Sequence, residues 1–368
     1  MHDTLSWLQQ AVYFRNVSKA PDEALCLSTL CTFDHDTRCH IASAKDHQTR
    51  MARLWHSIST DPRFGGVPAR VVFFEDETLT KPGYQWAPRS LLGAAAARSW
   101  FDESPKTTRW HSAGAVNLGE CTARGLRVRF PGWRIEVRAL VPGLKLHPWR
   151  GVLRNPLEDM VYLKHEKTGR WLRAVDWKQS QKSQKLPEDQ WTRWYQKDPI
   201  CRAIDKGNCA LIRDNLTAIS GGDAFGWGLH SCLMVSLEDP EAAREPVDGE
   251  LCVHKKRTLL VHSLSKPEAV VASGLQALAM RLATEKVTIA LAAITNKRGK
   301  RYTAALDDVK RRMKEVMGDY LEENLDFAKA VDQTLPGIRQ SVWAAIPKFF
   351  SHNAYVVDLP DSQCWVVD

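Results

Sequence analysis

The sequence predicts an α+β protein with N-terminal helices, a predominantly antiparallel β middle region and C-terminal helices. Three patterns point to this. Apolar residues recur at helical spacing through the first sixty positions, beginning with Leu5, Leu8, Val12 and Tyr13. From Val67 to Val261, short β-type runs alternate with turn chemistry. After Ser265-Lys266-Pro267 the helical period returns, with Val270, Val271, Leu275, Leu278 and Leu282 on one face.

Taken in order, the elements begin with a second helix carrying Leu25, Leu27 and Leu30, capped by Ser18 or Asp22. Met51, Leu54, Trp55 and Ile58 form a third amphipathic stretch before the Gly65-Gly66 break. Val67 to Phe74 reads as a strand, and Lys81-Pro82-Gly83 as a turn. Apolar residues alternate through Gly125–Phe130 and again through Trp133–Leu140, around Pro131-Gly132, which predicts a β-hairpin with one buried face. Met160–Lys164 and Trp171–Val175 form a second strand pair about a glycine-containing turn. Ala210–Arg213, Ser231–Leu237 and Leu251–Val261 supply three more strands. Residues 178–189 and the glycine-rich 221–228 read as connections. A further helix places Leu306, Val309, Met313, Val316 and Tyr320 on one seam, and Tyr355–Val357 forms a short docking strand in the tail. The expected organisation is a helical segment over 1–64, a β-rich domain over 65–265, a helical segment over 266–335 and a tail over 336–368 that packs on the core.

Composition narrows the class. The chain has 368 residues, 44% of them hydrophobic and 26% charged, as folded globular proteins have. Its first residues lack the basic and apolar regions of a secretory signal. The best membrane-span candidate, Ala269–Thr295, is interrupted by Arg281, Glu285 and Lys286. Nine cysteines without a CxxC pair argue for reduced thiols rather than a disulfide framework. A cytoplasmic protein, with the nucleus as alternative, is the expectation. The net charge of +8 lies wholly in residues 101–200, which hold 19 Lys and Arg against 11 Asp and Glu. The rest of the chain holds 32 of each.

No GxSxG, HExxH, P-loop or paired CxxC motif occurs. Cys31-x₃-His35-x₃-Cys39 has metal-ligand chemistry, since four-residue steps share one helix face. It lacks the close cysteine pair and second half-site of structural zinc, and an ordinary exposed segment is the simpler reading. His230-Ser231 with the distant Asp248 offers the residue types of a hydrolytic triad without any sign of its geometry. The outer face of the 125–140 hairpin would carry Arg127, Arg129, Arg134 and Arg138, a candidate surface for phosphates or an acidic partner, or simply a solvated face paired with Glu136. His254–Arg257 and Asn296–Arg301 are basic runs of the nuclear-localisation or nucleic-acid type, or solvated turns. No cofactor is implied.

Several segments resemble, in order, the region downstream of the HET domain in fungal heterokaryon-incompatibility proteins. Ser18–Leu30 (SKAPDEALCLSTL) is similar to that family's D-E-A-x-C-L-A-T-L-like helix, with Trp7 to Ser18 standing for the helix before it. Arg50-Met-Ala-Arg-Leu-Trp55 resembles an R-M-x-x-F/L-W helix, and Val67–Phe74 a V-P-x-x-I-I-F strand. Gly83–Gly93 (GYQWAPRSLLG) resembles G-x-R-W-A-P-K/R-S/T-F-L, the most specific block, and Gly125–Trp133 resembles G-L-x-V-x-F-P-G. The ordered match spans about residues 7–133, with a looser β pattern to about 264. Nothing like the family's W-T-x-Q-E motif precedes Met1. The resemblance implies an accessory region without its HET domain, as a truncated gene product or a separate protein. The function expected is a non-enzymatic accessory or interaction region of a HET-type self/non-self recognition protein, acting through an unidentified protein partner. A nucleic-acid-associated protein using residues 101–200, or an unrecognised hydrolase, is the alternative.

Overall fold

The computed structural model describes residues 12, 19–73, 77–92, 118–139, 154–155, 160–176, 204, 208–214, 229–239, 249–284, 301–334 and 352–368. It shows the α+β class: helices at both ends of a 12-stranded, mostly antiparallel sheet. Helices α1 (Glu23–Leu30), α2 (His35–Ala42) and α3 (His47–Thr60) come first. Asp34 and Asp46 cap α2 and α3 by accepting from the Thr37 and Thr49 amides at 2.7 and 2.8 Å. Those amides favour the ionised carboxylates and hold both below the usual range. Asp22 makes no capping bond to α1; its carboxylate lies 3.5 Å from Arg50 instead. Met51, Leu54, Trp55 and Ile58 are buried on α3, as their spacing predicts. Val12 is buried, while Leu5, Leu8 and Tyr13 lie outside the described residues.

The strand expected over Val67–Phe74 is only two residues long. β1 (Val67–Pro68) pairs antiparallel with β2 (Leu118–Thr122), then gives way to a 3-10 turn over Ala69–Phe73. Pro68 has no N–H to extend the ladder. The tight turn that follows still buries Val71, Val72 and Phe73, so the apolar run serves packing rather than pairing.

The remaining strands are β3 (Gly125–Arg129), β4 (Gly132–Ala139), β5 (Arg154–Asn155), β6 (Met160–His165), β7 (Trp171–Asp176), β8 (Cys209–Arg213), β9 (Leu229–Leu237), β10 (Glu250–Ser263), β11 (His352–Asp358) and β12 (Cys364–Val367). Seven of them close on themselves in the order β4-β8-β9-β10-β7-β6-β11, with β11 pairing back to β4. An odd ring cannot alternate direction all the way round, and the parallel β6–β11 pair resolves the mismatch. β12, β3, β2 and β1 branch from this barrel as a side sheet, joined where β12 runs parallel to Glu250–Val253.

Two cores follow. Inward side chains from all seven strands fill the barrel, among them Trp133, Leu163, Ala174, Leu211, Met234, Val261 and Val356. The other core lies between α1–α3 and the side sheet, and includes Leu27, Trp55, Phe73, Trp86, Leu126 and Trp365. β8 and β9 belong to both, since Ala210, Ile212, Leu233 and Val235 face this second core. This second core draws on residues from both sides of the expected boundary near residue 65.

The hairpin predicted at 125–140 does not form. β3 already has β2 and β12 as neighbours, and β4 has β11 and β8. Between them the chain turns a corner from side sheet to barrel. The corner's backbone groups are taken: Phe130 N–H donates to Gln363 O, and Phe130 O, Pro131 O and Gly132 O accept from Trp365 Nε1, Arg213 N and Leu359 N. Gly132 is required there because a β-carbon would overlap the Trp365 ring.

Helices α4 (Lys266–Thr284), α5 (Arg301–Glu323) and α6 (Leu325–Thr334) complete the described chain before β11. α4 rests on β7 through a Trp171 Nε1 to Ser273 Oγ bond of 2.8 Å and an Arg173–Glu268 ion pair of 3.0 Å. The strand expected at Tyr355–Val357 is present. It sits between β4 and β6 as a stave of the barrel rather than docking on the outside.

Gly132→Ala should destabilise the protein by about 1–3 kcal/mol, the cost of overpacking a filled core. Combining it with Trp365→Leu should cost less than the sum of the two single changes, because both act on one contact. Urea unfolding of the four variants measures this, and strict additivity would refute the corner as the point of strain.

Candidate functional site

The four arginines expected on one face lie on two sheets. On β3, Arg127 sits between Glu120 at 2.7 Å and Glu250 at 2.6 Å. Arg129 reaches Ser362 O at 3.5 Å. On β4, Arg134 pairs with Glu136, and Arg138 lies 2.5 Å from both Glu136 and Glu166 with its guanidinium 4.8 Å over the Tyr355 ring. Hydrogen bonds that Arg127 donates to Glu120 hold it above the usual arginine value, and those that Arg138 donates to Glu136 and then Glu166 do the same for Arg138. Because the corner at Pro131-Gly132 replaces the hairpin, the single basic face is not formed. Carboxylates answer most of this charge.

Cys31, His35 and Cys39 are likewise separated by environment. Cys31 is buried at the end of α1, and burial pushes its thiol up to about 12. Cys39 is exposed on α2, its Sγ 3.4 Å from His35 Nε2. Among the described residues no three His, Cys, Asp or Glu side chains are grouped to hold a metal. His230 stands on β9 opposite Val261 of β10, and Asp248 lies outside the described residues. His254–Arg257 runs along β10, where the β9 pairing slips between Lys255 and Arg257. Residues 178–189, 221–228 and 296–300 lie outside the described residues.

One end of the barrel carries polar side chains that sequence reading missed. Asp358 Oδ1 accepts from Trp133 Nε1 at 2.9 Å and lies 3.2 Å from His165 Nε2. The Thr168 amide donates to His165 Nδ1 at 3.3 Å, which leaves Nε2 as the protonated nitrogen. The Arg213 guanidinium stacks 4.5 Å over the Trp133 ring. Both imidazole nitrogens are engaged, one by Asp358 and one by the Thr168 amide. Cys232, buried inside near Arg213, has its thiol driven up by burial, which disfavours the thiolate. No sequence signal brings these residues together, because their strands are far apart in the chain.

The W-A-P-R block is a strap across the N-terminal core. Trp86 is fully buried, edge-on to Trp55 at 5.6 Å, and its indole donates to Gly83 O. Trp55 Nε1 donates to Pro88 O at 3.3 Å, and Asp368 accepts from both the backbone and side chain of Gln85. Arg89 pairs with Glu77 at 2.7 Å. Glu23, almost fully buried, accepts from Leu91 N and Ser90 Oγ at 2.7 and 3.0 Å. Burial raises the Glu23 carboxyl above its usual value, against the lowering effects of those donors and of nearby His47. The other resembling blocks also serve this core: Arg50 donates to Ala44 O and Pro21 O, each at 2.8 Å, tying α3 to the ends of α1 and α2.

Among the described residues, a groove of about 830 Å³ lies between α4 and the α5–α6 junction. Tyr320 and Phe327, packed edge-on at 5.5 Å, sit in it. Gly274 lets α4 approach, since a β-carbon there would overlap the Phe327 ring. Val270 and Leu325 line it with 39% and 64% of their surface exposed. Among the described residues no helix is long and apolar enough to cross a membrane. No family model, curated protein or solved structure matches the chain.

Glu23 gives a test of the strap. Its raised value means that the folded state holds the proton more tightly than the unfolded chain. Its contribution is complete below about pH 4.5 and is lost as pH rises through the folded value. Glu23→Gln, which can still accept both bonds, should remove that decline when unfolding midpoints are measured from about pH 4 to about pH 8. Glu23→Ala should cost about 1–3 kcal/mol across the range by leaving the Leu91 amide without an acceptor.

Proposed function

We propose that the chain is a non-enzymatic interaction region of the fungal HET type, working through protein contacts made by its C-terminal helices. The observation that carries this reading is the exposed apolar surface of the α4–α6 groove. Val270 and Leu325 are the exposed apolar side chains beside this cleft, and they are where a partner's apolar residues would pack. The HET assignment rests on the order of the resembling blocks and on their use. Glu23 and Leu27, Arg50 and Trp55, Val71–Phe73, Trp86, and Leu126 and Val128 all build or tie one core. Blocks of that kind specify a scaffold, as an accessory region requires. Pairing of Arg127, Arg134 and Arg138 with carboxylates weighs against the nucleic-acid alternative.

Co-expressing this chain with a HET domain on a separate polypeptide, in a fungal cell in which that domain arrests growth, tests the reading. The chain should change the extent of arrest, and Leu325→Asp should abolish the change at equal protein level. Arrest indifferent to the chain would overturn the accessory role.

A further inference from the structure

We infer that the barrel end framed by β4, β6, β8 and β11 binds a small monocarboxylate on the Arg213 guanidinium, at a site separate from the protein-contact surface above. Strand alternation brings the pieces together. Leu163, Leu211 and Val356 point into the barrel. His165, Arg213 and Asp358 each follow one of them by two residues, so they lie on the same inner side at that end. Trp133 stands among them, its ring edge-on to His165 at 6.2 Å. The four strands are neighbours in the ring, in the order β8-β4-β11-β6. The mouth of a barrel is a place where such folds seat small ligands.

Arg213 is a cation without an anion. Arg70, Arg134, Arg138 and Arg173 each hold a carboxylate. Half-buried Arg213 holds none among the described residues, and its Nε is buried with no acceptor. A buried donor left without an acceptor destabilises the fold, so an acceptor is called for at this atom. The Trp133 face fixes the guanidinium plane at 4.5 Å but takes none of its N–H groups. Stacking of this kind leaves the planar fork of donors set for a carboxylate, which would pair with Nε and one Nη at once. The acids nearby in the sequence and the fold are committed elsewhere. Asp358 accepts from Trp133 Nε1 and faces His165 Nε2, while Asp214 pairs with Arg70. Asp358, 44% exposed, also sets the charge that the site admits. Its negative charge at the same barrel end opposes a dianion such as phosphate more than a monocarboxylate.

The test uses the full chain at constant ionic strength, with acetate, acetamide and inorganic phosphate as probes. Broadening of each probe's own NMR signal reports binding, the methyl protons for the first two and phosphorus for the third. The acetate signal should broaden saturably, with half-saturation at about 1–10 mM. Acetamide, the neutral isostere, should stay sharp, and phosphate should respond more weakly than acetate. Arg213→Gln should abolish the acetate response. Arg213→Lys keeps the charge but loses the fork, and should weaken binding about tenfold. Circular dichroism checks that each variant is folded, and the Lys variant decides the matter where the Gln variant is not. Arg311→Gln, at an exposed position on α5, should respond to acetate as the unaltered chain does. Acetate broadening that persists at full strength in the folded Arg213 variants overturns the site. So does an equal response to acetamide, or no response to acetate at about 100 mM. Phosphate bound more tightly than acetate overturns the monocarboxylate.

Discussion

Strand β10 belongs to two sheets at once, and the rest of the fold is arranged around that fact. Its first residues, Glu250–Val253, pair with β12 of the side sheet, and its last, Leu259–Ser263, pair with β7 of the barrel. β9 runs along its other edge from Val253 to His262. The slip in pairing between Lys255 and Arg257 falls between the two partners, where the strand changes neighbours. A bulge at that point bends and twists a strand without ending its ladder. Asp368 secures the junction, its N–H donating to Val253 O and its O accepting from Lys255 N. Thr258 donates from its hydroxyl to Phe73 O, tying the same strand to the 3-10 turn of the N-terminal layer.

Because β10 is shared, the wall beside it is shared too. Ala210 and Ile212 face the helices while Cys209 and Leu211 face the barrel, so β8 has no solvated side. β9 behaves in the same way. Strands buried on both faces read as continuous apolar runs rather than alternating ones. Cys-Ala-Leu-Ile and Cys-Leu-Met-Val have this character. The two cores are thus coupled through one wall. Asp214, buried at the end of β8, extends the coupling by pairing with Arg70 at 2.5 Å.

The sequence is legible where burial and local chemistry agree. The α3 stripe, the β6–β7 hairpin about Gly169, the three strands of the second half and the return of helices after Pro267 all declare themselves through period and turn residues. Legibility fails where a non-local partner decides. Alternation at 125–140 correctly marked two strands, but strand pairing is set by available neighbours. Those neighbours, β12 and β11, come from the end of the chain. The same distance hid the barrel-end cluster of Trp133, His165, Arg213 and Asp358, whose members come from four different strands. The arginines were placed together because the hairpin was; once the corner separates β3 from β4, each set meets its own carboxylates. The groove was illegible for another reason. Val270 and Leu325 sit in ordinary amphipathic helices, and only the packing of α4 on α6 through Gly274 and Phe327 shows which of their apolar residues stay uncovered.

That division also bears on function. The segments that resemble the HET-associated region are committed to the N-terminal core, where Trp55, Trp86 and the Glu23 carboxylate lock a strap across the helices. A side chain locked in a core has little left to offer a partner. The uncovered apolar surface lies instead on α4–α6, after residue 264, where the looser part of the resemblance ends. The N-terminal core and the α4–α6 helices are thus built by different stretches of the chain. They are joined through α4 resting on β7 of the barrel by the Trp171–Ser273 bond and the Arg173–Glu268 pair. The path from there to the N-terminal core runs through β7 and β10 to the shared wall, a continuous chain of packed strands rather than a flexible linker.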